Sequence, residues 1–399
     1  MLHPPRQAHP GTAEGTRRGA PRGGMATRVL GVVCTGAPVD PDELAALGVY
    51  DPDGVDAAAR LELLEFVMGL GATSEELVTF EDSLPALGGL LAIRGGPALT
   101  LEQVAEASGR TSTEIRALAQ SAGIPDPEPD VPLFTRAFVD FASGMADVAA
   151  VFGEEASTQL VRVFGLAMSR IADAVISSFL VNVVPEVQRQ DPVGLGVARA
   201  NARAASLLPL VAPALDALFR QHLLIARRLT ESDLDQTGFE TRHLVVGFVD
   251  LVGSTLLGQT LDMNELGVTL EDFETVATGT ITEGGGRVVK LIGDEIMFTA
   301  PDALAAASIA IDLADAFDDH STVPPMRAGL ASGEVLLRDG DVFGPVVNLA
   351  SRAAKVAQPG EVVTTAAVAD EAALPHTSLG LHHLSGIPGE VELHRLVRN

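Results

Sequence analysis

The sequence predicts a multi-domain chain: an all-α N-terminal half, then an α/β domain with helices packed on a sheet. Three observations predict it. The length, 399 residues, suits about two or three domains of roughly 100–200 residues. From Asp40 to about Ser206, apolar residues recur at three- and four-residue spacing, as in Leu61, Leu64, Phe66 and Leu70. From Arg242 the texture changes to short apolar runs separated by helical stretches, the pattern of strands with interleaved helices.

Composition narrows the function. Hydrophobic residues make up 47% and charged residues 20%, as in a globular protein. Against 53 acidic residues stand 27 basic ones, a net charge of -26 that repels phosphate backbones, so no nucleic-acid partner is expected. The single cysteine, Cys34, excludes an internal disulfide and a Cys-rich zinc site. Trp is absent and Tyr50 is the one tyrosine, which argues against base-stacking platforms. The longest apolar stretch, Ile171–Val187, is interrupted by Asp173 and closed by Pro185 and Glu186, so no transmembrane segment is expected. Residues 1–24, rich in Pro, Gly and Arg, read as a floppy tail or as a stretch upstream of a true start at Met25. They contain no apolar core of a secretory signal, and the expected location is the cytoplasm.

The helical half spans 25–206. Thr100-Leu-Glu-Gln-Val and Thr111-Ser-Thr-Glu-Ile are capped helix starts, joined through Gly109. The pair has the outline of a helix-turn-helix, but its second helix offers little beyond Arg116 to DNA. Pro125-Asp-Pro-Glu-Pro-Asp-Val-Pro132 marks a linker between helical subdomains. The helices from about Pro132 to Val184 are apolar all round, which predicts burial in the domain or in a dimer interface, with a lipid-binding pocket as the alternative. A linker helix, 207–238, follows. After Pro213, residues Leu215, Leu218, His222, Ile225 and Leu229 form an a/d seam of two heptads. The polar run Thr230–Gly238 sets the boundary of the last domain, 239–399.

In that domain His243–Asp250 reads as a strand and Leu266–Glu283 as a helix broken by Gly284-Gly-Gly286. Arg287–Ile292 and Glu295–Ala300 form a hairpin about Gly293-Asp294. A helix over Asp302–Phe317, a strand over Met326–Leu337, a turn and helix over Phe343–Val356, and strands at Glu361–Thr364 and Val391–Val397 complete it.

Three segments carry chemistry. Asp250 closes the first strand, and Asp294 sits at the hairpin tip of Lys290-Leu-Ile-Gly-Asp-Glu-Ile-Met297. If those strands are neighbours the carboxylates converge, and two carboxylates suit Mg²⁺ or Mn²⁺ held jointly with a polyphosphate. Gly253, Ser254 and Thr255 would offer N–H groups to phosphate oxygens. Taken singly, Asp250 reads as a helix cap and Asp294 as a turn residue. In Asp341-Val-Phe-Gly-Pro-Val-Val-Asn348-Leu-Ala-Ser-Arg352, Asn348 and Arg352 share a helix face, where Arg can stabilise a phosphoryl group in transfer and Asn can hold a ribose. A surface polar pair is the plain alternative.

Together these segments, from about Leu244 to Val397, resemble the catalytic domain of class III nucleotidyl cyclases, with the motifs in family order. The resemblance implies a ferredoxin-like core of the polymerase-palm type and a head-to-tail homodimer with two sites at its interface. It implies that Asp250 and Asp294 bind two metal ions, that Lys290 and Asp341 read the purine, that Asn348 orients the ribose and that Arg352 stabilises the transition state, with metal and transition-state residues from opposite protomers. The purine pair bears a chemical check. A Lys ammonium donates to adenine N1 and an Asp carboxylate accepts from its C6 amine, whereas guanine inverts both partners. Lys290 is one of only two lysines, with Lys355, against 25 arginines, and it points to ATP. A guanylate cyclase and a catalytically inactive nucleotide-binding module are the alternatives; the Gly-Gly-Asp-Glu-Phe signature of diguanylate cyclases is absent. One departure stands at Ser385, where many relatives carry a basic residue that reaches the triphosphate.

The layout of helical domain, linker helix and cyclase domain resembles soluble actinobacterial cyclases with an autoinhibitory, pH-responsive regulatory domain. No histidine lies between His9 and His222, so His222 in the linker seam is the candidate regulatory imidazole, with perturbed carboxylates as the other means of sensing pH. The bland alternative is a solvent-exposed linker histidine.

Overall fold

The computed structural model describes residues 40–126, 130–189, 191, 193–228, 240–318 and 320–398. The tail 1–24, Met25, Cys34, Leu229 and the boundary run Thr230–Gly238 lie outside the described residues, as do 127–129 of the Pro/Asp linker.

The N-terminal half is helical throughout. It comprises α1 (Pro41–Ala46), α2 (Ala57–Gly69), α3 (Ser74–Thr79), α4 (Leu84–Arg94), α5 (Leu101–Ser108), α6 (Ser112–Ser121), α7 (Arg136–Phe152), α8 (Glu154–Asn182), α9 (Val184–Gln188), α10 (Leu195–Ala205) and α11 (Leu208–Arg228). Both predicted capping boxes form. The Thr100 hydroxyl accepts from Gln103 N while Gln103 Oε1 accepts from Thr100 N, and Thr111 and Glu114 repeat the exchange. Gly109 ends α5 in the left-handed region, φ 70°. A core of Leu63, Leu64, Val67, Leu84 and Leu87 holds α2 and α4 together. Helix α10 packs on α4 through Gly88, where a Cβ would lie 3.3 Å from Ala198.

The chain divides into two compact units: residues up to Arg116 with Pro127–Ser143 and Arg170–Leu210, and Ala117–Asp126 with Gly144–Ser169 and Val211–Asn399. The units interleave along the sequence rather than meeting at one point.

Helix α8 is largely uncovered in one copy of the chain: of its residues only Ser157 and Val161 are buried, and Leu166, Val175, Ile176, Leu180 and Val181 are exposed. A 29-residue helix with apolar residues on every side needs neighbours on every side, and one copy of the chain does not supply them. Helix α11 starts at Leu208 and carries Pro213 in its second turn, where the ring forfeits a single backbone hydrogen bond. By length and composition alone, the spans Glu154–Gln188 and Leu195–Ala226 are apolar enough to cross a membrane. Scattered charges such as Asp173 break each apolar run without making the helix polar on average.

The C-terminal part folds from β1 (Glu240–Leu251), α12 (Ser254–Thr260), α13 (Met263–Glu283), β2 (Arg287–Ile292), β3 (Glu295–Ala300), α14 (Ala303–Asp318), β4 (Met326–Arg338), β5 (Asp341–Phe343), α15 (Pro345–Val356), β6 (Val362–Thr365), α16 (Ala366–Ala372), β7 (His376–His382) and β8 (Val391–Leu396). Its sheet runs β2-β3-β1-β4-β6-β8-β7, with β5 hairpinned onto β4. Strand β1 is central and antiparallel to both β3 and β4, while β4 and β6 run parallel.

Side-chain alternation assigns the two faces of β1. Val245, Val249 and Leu251 enter the core under α13 and α14, with Phe273, Ile309 and Phe317. Val246 and Phe248 enter the opposite core with Met297, Val346 and Ala350 of α15. Asp250 has the parity of Phe248 and stands on the α15 face. Helix α15 lies hard against the sheet at Gly329, where a Cβ would sit 2.1 Å from Ala354 N and 2.3 Å from Ala350 O.

Candidate active site

Asp250 and Lys290 stand on the α15 face, Asp294 lies in the β2–β3 turn, and Asn348 and Arg352 lie on α15 itself. Asp250 pairs in register with Glu295 on β3 and with Arg327 on β4. The hairpin turn at Gly293, φ 64°, carries Asp294 back to β1, where its carbonyl accepts from Leu251 N at 3.1 Å. The neighbouring strands that the convergence of Asp250 and Asp294 required are therefore present. Burial, then the facing Asp250 carboxylate, push the Glu295 carboxyl above its usual range, against the pull of Lys355. Arg327 answers this crowding, donating from Nε and Nη2 to Asp250 Oδ2 at 2.8 and 2.5 Å.

Among the described residues no group of three or more His, Cys, Asp or Glu side chains is arranged to enclose a metal ion. A pair of carboxylates still fits Mg²⁺ or Mn²⁺, because these ions keep water and phosphate ligands and rarely use an all-protein cage. The donor set is oxygen only, and Asp250 Oδ1 accepts from no described residue. Beside Asp294 lies a cleft of about 260 Å³ whose lining includes Ser254 and Gly293. The expected N–H donors for phosphate lie at the start of α12, which has seven residues and follows Gly253 at φ 82°.

The predicted purine readers meet. Lys290 Nζ donates to Asp341 Oδ1 at 2.9 Å and Oδ2 at 2.7 Å, across 51 residues of sequence. The Met297 partner of Lys290 pairs in turn with Phe248, so Lys290 shares the face of Asp250. Asp341 is aimed by the β4–β5 turn, in which Asp339 (φ 57°) and Gly340 (φ 80°) are both left-handed, the backbone of a two-residue hairpin. Both side chains are about one-third exposed, open enough for a ligand to come between them. A wider cleft of about 740 Å³ has Asp341, Arg242, Arg287 and Arg338 in its lining.

Asn348 and Arg352 lie on α15 as expected. Asn348 is exposed, and Arg352 donates from Nε to the backbone carbonyl of Ser385 at 3.1 Å. Among the described residues neither makes a hydrogen bond or ion pair with Asp250 or Asp294. His222 is exposed on α11, four residues from Leu218 and three from Ile225, both exposed.

Sequence reasoning missed Arg327, Glu295 and Lys355. Arg327 carries no signal without the strand register. Glu295 was visible only as the neighbour of Asp294. Lys355 was marked by the scarcity of lysine and by its three-residue step from Arg352 along α15.

No protein-family model matches the chain. An uncharacterised protein of Mycobacterium tuberculosis (strain H37Rv) is 32% identical over 89% of this chain and 94% of its own. An adenylate cyclase of Streptomyces coelicolor is 31% identical over 70% of this chain and 67% of its own. A pH-sensitive adenylate cyclase of M. tuberculosis (strain CDC 1551) is 28% identical over 87% and 90%. The solved adenylyl cyclase CyaB of P. aeruginosa is 22% identical over 40% of this chain and 97% of its own, with a TM-score of 0.37. The chain is a nucleotide cyclase. It belongs to the class III adenylate cyclase family and is an enzyme of that family.

Proposed function

We propose that the chain converts ATP to 3′,5′-cyclic AMP and pyrophosphate. The observation that carries this reading is the Lys290–Asp341 pair, an ammonium beside a carboxylate at 2.7 and 2.9 Å, which matches the acceptor N1 and donor C6 amine of adenine and mismatches guanine. The ribose 3′-oxygen attacks the α-phosphorus in line, loses its proton, and the bond to the bridging oxygen of pyrophosphate breaks. Asn348 orients the ribose and Arg352 meets the charge that builds on the α-phosphoryl oxygens. Asp250 and Asp294 would hold two divalent ions, Mg²⁺ or Mn²⁺, which when bound would lower the pKa of the 3′-hydroxyl and neutralise the triphosphate.

The site is completed by a second copy, one protomer giving the acids and its partner Asn348 and Arg352. The exposed apolar faces of α8 and α11 support association. We assign residues 25–206 to a regulatory domain, 207–238 to the linker and 239–399 to a palm-type catalytic domain, in a cytoplasmic enzyme. Protonation of His222 would set like charges into the apolar linker seam and couple pH to dimer geometry. A pH–activity profile unchanged in His222→Ala removes that coupling.

The deciding assay measures cyclic nucleotide formation from ATP and from GTP, with Mg²⁺ or Mn²⁺, for the wild type and Lys290→Glu. ATP turnover is expected in the wild type, falling by about 10⁴ in the variant. Turnover of GTP alone identifies a guanylate cyclase; nucleotide binding with no product identifies an inactive module.

A further inference from the structure

Arg327 is placed opposite Asp250 by the β1–β4 register, and both of its donors fall on the same oxygen, Oδ2. Oδ1 accepts from no described residue. The Asp250 side chain is 17% exposed and that of Arg327 29%, so the pair is shielded from much of the screening that weakens surface ion pairs. A carboxylate held this way cannot rotate freely, and it presents one oxygen.

We propose that Arg327 is a positioning residue that restricts Asp250 to one-oxygen metal ligation and thereby sets which divalent ion the site accepts. The proposal rests on the metal reading of Asp250 and Asp294 given above. Mg²⁺ and Mn²⁺ fit a site in which each carboxylate gives one oxygen and waters and phosphates complete the shell. Ca²⁺ takes more oxygen ligands at longer distances and readily accepts both oxygens of a carboxylate. With Oδ2 occupied by a guanidinium, Asp250 offers no second oxygen, and the larger ion loses a ligand that the smaller ones do not need. The guanidinium charge also opposes every divalent ion. That repulsion depends on charge and acts on Mg²⁺ and Ca²⁺ alike, so it cancels in the ratio of their affinities, whereas the effect of orientation does not.

The test uses the full chain with α,β-methylene-ATP, whose bridging carbon blocks turnover. Mn²⁺ binding is read by electron paramagnetic resonance, and Mg²⁺ and Ca²⁺ are ranked by displacement. Arg327→Ala is expected to raise the Ca²⁺-to-Mg²⁺ affinity ratio about tenfold or more, in line with the effect of removing outer-shell partners. Arg327→Gln keeps an amide donor and loses the charge, so both affinities rise while the ratio stays within about twofold of wild type. Equal rises of the ratio in both variants, or no rise in Ala, overturn the proposal. Arg327→Met, closer in volume, replaces Ala if the Ala variant melts at a lower temperature without ions. Mn²⁺ binding that is unchanged in Asp250→Asn overturns the metal reading itself, and this proposal with it.

Discussion

Arg352 Nε donates to the backbone carbonyl of Ser385, so the side chain at 385 is free to change without disturbing the arginine. By the resemblance to class III cyclases, Ser385 takes the place of a cation for the triphosphate. Ser385→Arg should therefore lower the KM for ATP about tenfold, by adding a charge-assisted contact, and leave kcat within about twofold. Steady-state kinetics with saturating Mn²⁺ checks this; a fall in kcat instead would place residue 385 against the reacting atoms.

Arg352→Ala should lower kcat by about 10²–10³. If the two halves of a site come from different protomers, mixing Arg352→Ala with Asp294→Asn should restore activity that neither variant has alone, because a mixed dimer holds one intact site. Absence of rescue after co-refolding or co-expression would refute the shared-site reading.

Gly329→Ala should destabilise the C-terminal part by about 1–3 kcal/mol, because the new methyl meets the α15 backbone at Ala350 and Ala354. Since α15 also carries Asn348 and Arg352, activity should fall even at temperatures where the protein stays folded. Calorimetry beside a cyclase assay separates the two effects.

Asp191 caps α10, accepting from the backbone N–H groups of Val193 at 3.1 Å, of Gly194 at 3.0 Å and of Gly196. The bond from Gly196 and, after the opposing effect of burial, those from Gly194 and Val193 hold its carboxyl below the usual range. A depressed native pKa gives stability that is present above the unfolded value, about pH 4, and lost as pH falls through the native value. Asp191→Ala should cost about 1 kcal/mol at neutral pH, and the gap to wild type should close on acidification. Urea melts at several pH values read this directly; a constant gap would show that the charge of Asp191 plays no part.

The candidate catalytic residues were legible because they lie in short local motifs. Asp250 at a strand end, Gly293-Asp294 at a turn, and Asn348 and Arg352 one helical turn apart need only the local period to be placed. The partner of each charge was less legible. That Lys290 meets Asp341 followed from family resemblance, while Arg327 on Asp250 depends on which residues of β1 and β4 lie opposite, and no local pattern encodes that register. Strand β7 was missed because a Gly-containing irregularity at Gly380 and polar flanks break its alternation. For α8 the apolar content predicts burial in the domain or in a dimer interface, and a sequence does not say whether the cover comes from the same copy.

The scarcity of lysine has a practical consequence for labelling. The chain has two side-chain amines, one clasped by Asp341 and the other on the helix that carries Arg352. An amine-directed acylating reagent, which would decorate most proteins at dozens of surface points, has two side-chain targets here, and both lie in the catalytic half. Mass shifts on those two peptides would act as an occupancy gauge for the nucleotide pocket, with no engineered tag and little background from the rest of the molecule.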